Sequence, residues 1–300
     1  MDRQEFALVH HQLKLELELF RLTGQSFQGF FERIMQKSDK SFLVVKPSGV
    51  VGDWKSDGYS ADTATIYQCY APEELTATKA ANKVHEDFNG AKDRWKEKMK
   101  RWVFVWSSER ALPPQVVAAL AEIKDKNPLL TIEPIGREGL WDIVKALPVS
   151  DRESLLGVAP DLNDVPRTTA AEIQVLMKHL SSDRSMASDV SDLDLTAIAE
   201  KLKRNNLSAV VSKTVMPAVP VAKLVREYVT SMPDPAFSQA IADVLAAKYA
   251  ELAGSGADAD VIFGNLVEYV QGDRLGDLKF FWAAAGIVTH YFELCDIFER

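Results

Sequence analysis

Cysteine is scarce in this chain: two residues in 300, Cys69 and Cys295. With no CxxC pair, a thiolate metal cluster and a disulfide framework are both excluded, and a reduced, cytoplasmic protein is expected. No apolar run approaches the roughly 18–20 residues that span a bilayer, so no membrane partner is expected. The first residues, MDRQEFALVHHQ, lack the basic-then-apolar plan of a secretory leader. The five histidines, His10 and His11 among them, show no HExxH or paired ligand spacing and read as structural or surface groups. Neither GxxxxGK(S/T) nor GxGxxG occurs, and GSGAD lacks the strand context that a phosphate loop needs. No internal repeat is visible.

What remains is a folded globular chain, 47% hydrophobic and 26% charged, long enough for two domains of ordinary size. Its net charge of −8 is unevenly placed. Residues 1–150 hold 21 Lys/Arg and 21 Asp/Glu, whereas 151–300 hold 14 and 22, which accounts for the whole excess. Within the neutral half, KDRWKEKMKR gathers Lys92, Arg94, Lys96, Lys98, Lys100 and Arg101 around Trp95, with Trp102 following. That pattern suits a surface that tracks phosphates, although a charge run is also an ordinary solvated face. The two halves are built for different partners.

Leu8, Leu15, Leu19 and Leu22 fall on one side of a helix over 4–22. The alternation in LKLELELF also fits a strand, but Leu, Lys and Glu favour the helix. A second helix follows Ser26. From 42 onward β-branched and aromatic runs predict strands at FLVVKP, TATIYQCYA, RWVFVWSS and TIEPI, with SGVVGDWKSDGY entering a further one. Helices are expected at roughly 76–99, weakened at Asn89-Gly90, and at QVVAALAEIKDKN and GLWDIVKAL. This order predicts an α/β domain over 1–147, with a mixed sheet flanked by helices. A Pro-, Asp- and Ser-rich linker is expected at 148–167, then an all-α domain over 168–300 in which Pro217 and Pro220 split one helical segment.

The stretch GDWKSDGYSADTATIYQCYAP carries the candidate site. Gln68 and Tyr70, two apart on a strand, project to one face with the Cys69 carbonyl between them. If 55–59 and 65–70 pair through the SADT turn, Asp57 comes to lie near Gln68. Asp57-Gly58 is also a common turn dipeptide, and Gln68 could simply satisfy a buried polar partner.

An Asp-Gly turn followed by a strand ending Gln-x-Lys, inside a helix–strand–strand–strand–helix core, resembles the restriction-endonuclease-like fold and its Mrr-type members over about residues 26–145. The resemblance implies an Mg2+- or Mn2+-dependent deoxyribonuclease. Asp57, Gln68, the Cys69 carbonyl and Glu32 of FFERI would serve the metal. Tyr70 stands where the family places lysine, and it carries no charge at neutral pH. Lys55, Lys79 and Lys83 are the available replacements. Lys55 is the first choice, because an extended 53–57 would set it on the face of Asp53 and Asp57; Lys83 is the second. The neutral alternative is that Lys79, Lys83 and Glu32 are surface residues.

Farther on, GIVTHYFELCDIFER is apolar on several faces and wants burial all round, in its own bundle or against a partner. Phe292, Glu293, Cys295, Asp296 and Ile297, with a looser Asn206-Leu207-Ser208, resemble the C-terminal domain of ABC-three-component conflict-system effectors of the Lamassu type. That resemblance covers about 170–300. It implies bacterial antiphage defence beside an SMC-like ABC ATPase and a small middle component, with the effector released or clustered, as a homo-oligomer, when active. The expectation is therefore an endonuclease effector subunit. A catalytically degenerate DNA-binding or scaffolding subunit of the same complex is the alternative.

Overall fold

β-Branched and aromatic side chains favour extended backbone, and between Phe42 and Ile135 they build one sheet. The computed structural model describes residues 1–46, 54–107, 111–180, 195–234, 236–294 and 296–298, and for 195–197 the backbone only. Asp53, Cys295 and most of the SGVVGD turn lie outside the described residues. The strands are β1 (Phe42–Val44), β2 (Gly58–Ser60), β3 (Thr65–Tyr70), β4 (Arg101–Trp106) and β5 (Thr131–Ile135). They are ordered β1-β2-β3-β4-β5. The first three form an antiparallel meander, and β4 and β5 join in parallel. A parallel step needs a crossover, supplied by α3 (Ala77–Trp95) and α4 (Pro114–Lys126). Two helices, α1 (Arg3–Arg21) and α2 (Gly24–Ser38), precede the sheet; α5 (Arg137–Ala146) and α6 (Val149–Leu156) follow it.

Side chains alternate across a strand, and β4 divides its residues accordingly. Trp102, Phe104 and Trp106 pack with Ala80, Val84 and Phe88 of α3 and with Val116, Ala119 and Leu120 of α4. On the other face, Phe31 of α2 meets Tyr67 and Phe42 with ring centroids 5.5 and 6.1 Å apart. Each large apolar side chain taken from water contributes roughly 1.5–3 kcal/mol, which holds the helices on the sheet. The expected weakness at Asn89-Gly90 does not occur: α3 runs unbroken to Trp95. Glycine stands at 90 because a Cβ there would lie 2.6 Å from Cγ of Lys55, whose stem crosses the helix at that point.

The chain divides into two compact units, Glu18–Leu155 and Met1–Leu17 with Leu156–Arg300. This differs from the expected boundary. Phe6 and Leu13 of α1 belong to the apolar core of the helical unit, so the first residues leave the sheet unit. The expected linker at 148–167 holds α6 and a 3-10 turn at Leu162–Arg167.

The helical unit contains α7 (Ala170–Leu180), α8 (Leu195–Arg204), α9 (Ala209–Thr230), α10 (Ala236–Gly254), α11 (Ala259–Gln271) and α12 (Leu278–Glu293). Every residue of α12 from Phe280 to Phe292 is buried, so this helix is the centre of its own bundle. Pro217 and Pro220 lie inside α9 and do not split it. Each removes one backbone donor at a cost of roughly 3 kcal/mol, and burial of Val215, Ala218, Val219, Val221 and Ala222 outweighs that cost. Lys201 of α8 donates to the carbonyls of Phe292 and, at 3.2 Å, Ile297, capping the buried end of α12. Asn206, left-handed at φ 55°, ends the α8 segment, and Ser208 caps α9 by accepting from Val210 N. Among the described residues no helix is long and apolar enough to cross a membrane.

Candidate active site

Gly58 pairs with Tyr67, the last β3 residue opposite β2. Along a strand, alternate residues offer their N–H and C=O to the same neighbour, so Tyr67 and Cys69 both address the β2 side. Asp57, one residue before β2, fills the place that the strand leaves open. Its N–H donates to the Tyr67 carbonyl at 2.8 Å. Its Oδ2 accepts from Cys69 N at 2.7 Å and from Gln68 Nε2 at 2.9 Å. Both side chains are buried, Asp57 at 7% and Gln68 at 8% exposure. The turn aspartate thus faces Gln68 with the Cys69 main chain beside it, as the strand pairing predicted. The other amide oxygen, Gln68 Oε1, is buried without a hydrogen-bond partner.

Gln68 and Tyr70 sit opposite Phe104 and Trp106 and share their face. Tyr70 stacks on both rings, at 5.6 and 5.7 Å. Burial, then the charge of Asp87, raises its hydroxyl pKa, so the group at the expected lysine position is a neutral donor.

Lys55 does not share a face with Asp57. Trp54 and Lys55 are both left-handed, each at φ 56°, so the segment is not extended and the i, i+2 rule does not apply. Lys55 instead runs over Gly90 to α3, where its ammonium pairs with Glu86 and lies 3.4 Å from Asp87 Oδ1. Lys83 reaches the same oxygen at 2.6 Å. The hydrogen bond that Lys55 donates to Glu86 is the main reason that its pKa is raised. Asp87 is fully buried, its Oδ2 has no partner, and burial raises its pKa against the pull of the two lysines. Both replacement lysines therefore meet on a carboxylate that sequence patterning did not single out. The signal was present in the i, i+4 spacing of Lys83 and Asp87. Lys79 is exposed.

Glu32 of α2 is buried and accepts from Lys46 Nζ at 2.6 Å and Gln28 Nε2 at 2.9 Å. Its charge reaches Cys69: burial first, then Asp57 and Glu32, pushes that thiol well up. Cys69 therefore offers its carbonyl rather than a thiolate. Lys46, a further cation beside this group, carried no sequence signal; only the packing of α2 beside the end of β1 reveals it.

In the basic run, Lys92, Arg94, Lys96, Lys98 and Lys100 are exposed. Lys92 donates to Asn127, and Arg101 is half-buried on Glu133. Because β3 and β4 are parallel with Arg101 opposite Thr65, the run lies at the end of the sheet away from Tyr70. Among the described residues, no group of three or more His, Cys, Asp or Glu side chains is placed to hold a metal ion.

Residues 171–299 match the family model of C-terminal domain 10 of the ABC-three component (ABC-3C) systems. No curated protein and no solved structure matches the chain.

Proposed function

We propose that the sheet unit is a metal-dependent deoxyribonuclease domain and that the chain serves as effector subunit of an ABC-three-component antiphage defence complex. The meeting of Asp57 with Gln68 and the Cys69 main chain, where β2 leaves β3, carries this reading. The order α2–β1–β2–β3–α3–β4 supports it, since it agrees with the helix–strand–strand–strand–helix order that the resemblance implies. The match over 171–299 supports the system, and with it an SMC-like ABC ATPase and a small middle component as partners.

Mg2+ and Mn2+ take oxygen ligands, and the residues present offer them in the Asp57 carboxylate, the Gln68 amide oxygen and the Cys69 carbonyl, with Glu32 on the adjoining helix. A buried acceptor left unpaired costs roughly 1–3 kcal/mol. A cation would give Gln68 Oε1 the partner it lacks, once the amide turns that oxygen toward Asp57. Of the residues gathered at the β2–β3 junction Asp57 supplies the carboxylate, and water would complete the shell, which suits Mg2+. When bound, such an ion supplies an activated water and neutralises charge on the leaving oxygen. The protein's part is to hold Asp57 by the Cys69 N–H, to offer a hydrogen bond from Tyr70, and to supply cations from Lys46, Lys55 and Lys83. Exposed Lys92, Arg94, Lys96, Lys98 and Lys100 would hold the DNA backbone.

The deciding assay incubates purified protein with plasmid and Mg2+ or Mn2+, alone and with the partner subunits. Cleavage is expected, and it should vanish in Asp57→Ala while the fold persists. A correctly folded Asp57→Ala protein that cuts at the wild-type rate would sink the assignment. Tyr70 and the carboxylate-bound state of Lys55 and Lys83 favour a second reading, a DNA-binding scaffold without catalysis. It takes over if no preparation cuts any DNA with the partners present.

A further inference from the structure

Trp95 stacks on Tyr59 with centroids 4.8 Å apart and planes 26° from parallel. It meets Trp54 at 5.6 Å with the rings nearly perpendicular. Such an edge contact covers at most one face of Trp54, and the residue remains 38% exposed. Its backbone is left-handed at φ 56°, a conformation that is strained for any residue with a Cβ. The chain thus accepts strain at a residue whose large apolar ring faces water.

The neighbours of this ring say what it suits. Tyr59 lies two residues after Asp57, and Trp95 leans on Tyr59. On either side of Trp95 in sequence, Lys92 and Lys96 line a cleft of about 610 Å³ together with Lys100, Lys126, Met99, Leu129 and Leu130. Asp93 and Glu97 line it too, so four lysines face two carboxylates. That net charge attracts a phosphate chain without holding it firmly. A firm hold needs a second interaction, which an open aromatic face provides to any unpaired base.

We propose that this surface binds an unpaired stretch of DNA, with one base stacked on Trp54 and the adjoining phosphates in the lysine-lined cleft. The preferred substrate of the sheet unit is then single-stranded or frayed DNA rather than intact duplex. The proposal rests on the reading of this unit as a DNA-cutting domain. Intact duplex cannot use the platform, because stacking already covers both faces of its bases.

The test measures binding rather than cleavage. Full-length Asp57→Ala protein without divalent metal is titrated by fluorescence anisotropy into a labelled oligothymidylate and into a blunt duplex of equal length. The single strand should bind more tightly. Adding Trp54→Ala should weaken it by about 10-fold to 100-fold, the worth of one base–aromatic stack, and leave duplex binding unchanged. Trp54→Phe should restore most of the loss, and thermal melting should match throughout because Trp54 is exposed. Equal affinity for both forms, or an oligothymidylate Kd indifferent to Trp54→Ala, overturns the proposal. So does a Trp54→Ala protein that keeps its DNA affinity and loses its ATPase partner, which would assign the indole to a protein contact. Plasmid cleavage that persists beside any of these results overturns this inference and leaves the nuclease reading standing.

Discussion

In the helical unit, buried charged groups sit at helix ends and between helices. Lys201 caps α12, Asp260 accepts from the backbone and hydroxyl of Ser208 at the start of α9, and Glu268 holds Lys14. In the sheet unit, Asp57 and Gln68 meet where β3 runs past β2. Two carbonyl-type acceptors, Gln68 Oε1 there and Asp87 Oδ2 on α3, have no hydrogen-bond partner, as Thr289 Oγ1 and the His290 ring have none in the helical unit. Both units bury polarity at a cost. One gains helix ends and a defined bundle by it. The other leaves an unpaired Asp87 oxygen on a carboxylate that Lys55 and Lys83 share, and an unpaired amide oxygen on Gln68, the groups on which the proposed site rests.

The sharpest way to break this contrast is to overfill the helical unit. A Cβ on Gly286 would lie 2.4 Å from Val221 Cγ1 and 3.1 Å from the Val221 carbonyl carbon. Gly286→Leu therefore forces α9 away from α12, and overpacking of this kind costs about 3 kcal/mol or more. Circular dichroism should show a much lower melting temperature. Wild-type melting of this variant would mean that the helices do not approach so closely.

Acid should also separate the units. Burial, then the charge of Arg226, lowers the His290 pKa from 6.5 to about 4. Burial, with Lys14 and His11, lowers that of His10 to about 3. A histidine depressed in the folded state stabilises the protein above its unfolded pKa, and that contribution is lost as pH falls through the window between the two values. At pH 5 each should cost about 2 kcal/mol relative to pH 7.5. Hydrogen exchange read separately over 156–300 and 18–155 should show the loss in the helical unit. The sheet unit's histidine, His85, is half-exposed. Uniform loosening of both units would refute the assignment.

The pattern of elements was legible because periodicity and strand chemistry are local. β3 and β4, the turn between β2 and β3, and the helices between strands all form where the β-branched, aromatic and helix-favouring residues place them. The pairing of Asp57 with Gln68 was legible for the same reason, since a short turn fixes the register. What misled was tertiary. Pro217 and Pro220 read as breaks, yet the packing of α9 on α12 outweighs them. Lys55 seemed aligned with Asp57 by strand parity, yet two left-handed residues cancel that parity. Asp87 stayed hidden because a carboxylate on a helix reads as solvated until the sheet is packed over it.

Asp87→Asn tests that hidden group at smaller scale. Burial already raises its pKa, so an amide of the same shape should change stability by no more than about 1 kcal/mol. Lys55 and Lys83 would lose their common anchor, and cleavage should fall about 10-fold if their placement matters. Unchanged cleavage would leave Asp87 as packing alone.

The smallest expected effect on stability is the most telling. In a helix interior, glycine is worse than alanine by roughly 0.8–1 kcal/mol, so Gly90→Ala should stabilise α3. The new Cβ, however, would stand 2.6 Å from Lys55 Cγ, and the lysine stem must move off the helix, carrying its ammonium from Glu86 and Asp87. These terms nearly cancel in stability, within about 0.5 kcal/mol, because a half-exposed ion pair adds little and a flexible stem relocates cheaply. They do not cancel in function. If Lys55 is held over α3 to serve the site, Gly90→Ala should melt like wild type and cut DNA several-fold more slowly. Lys55→Ala in the same background should add nothing further, since non-additivity marks a shared pathway. A Gly90→Ala protein as stable and as active as wild type would show that glycine at 90 keeps room for a surface ion pair and nothing more.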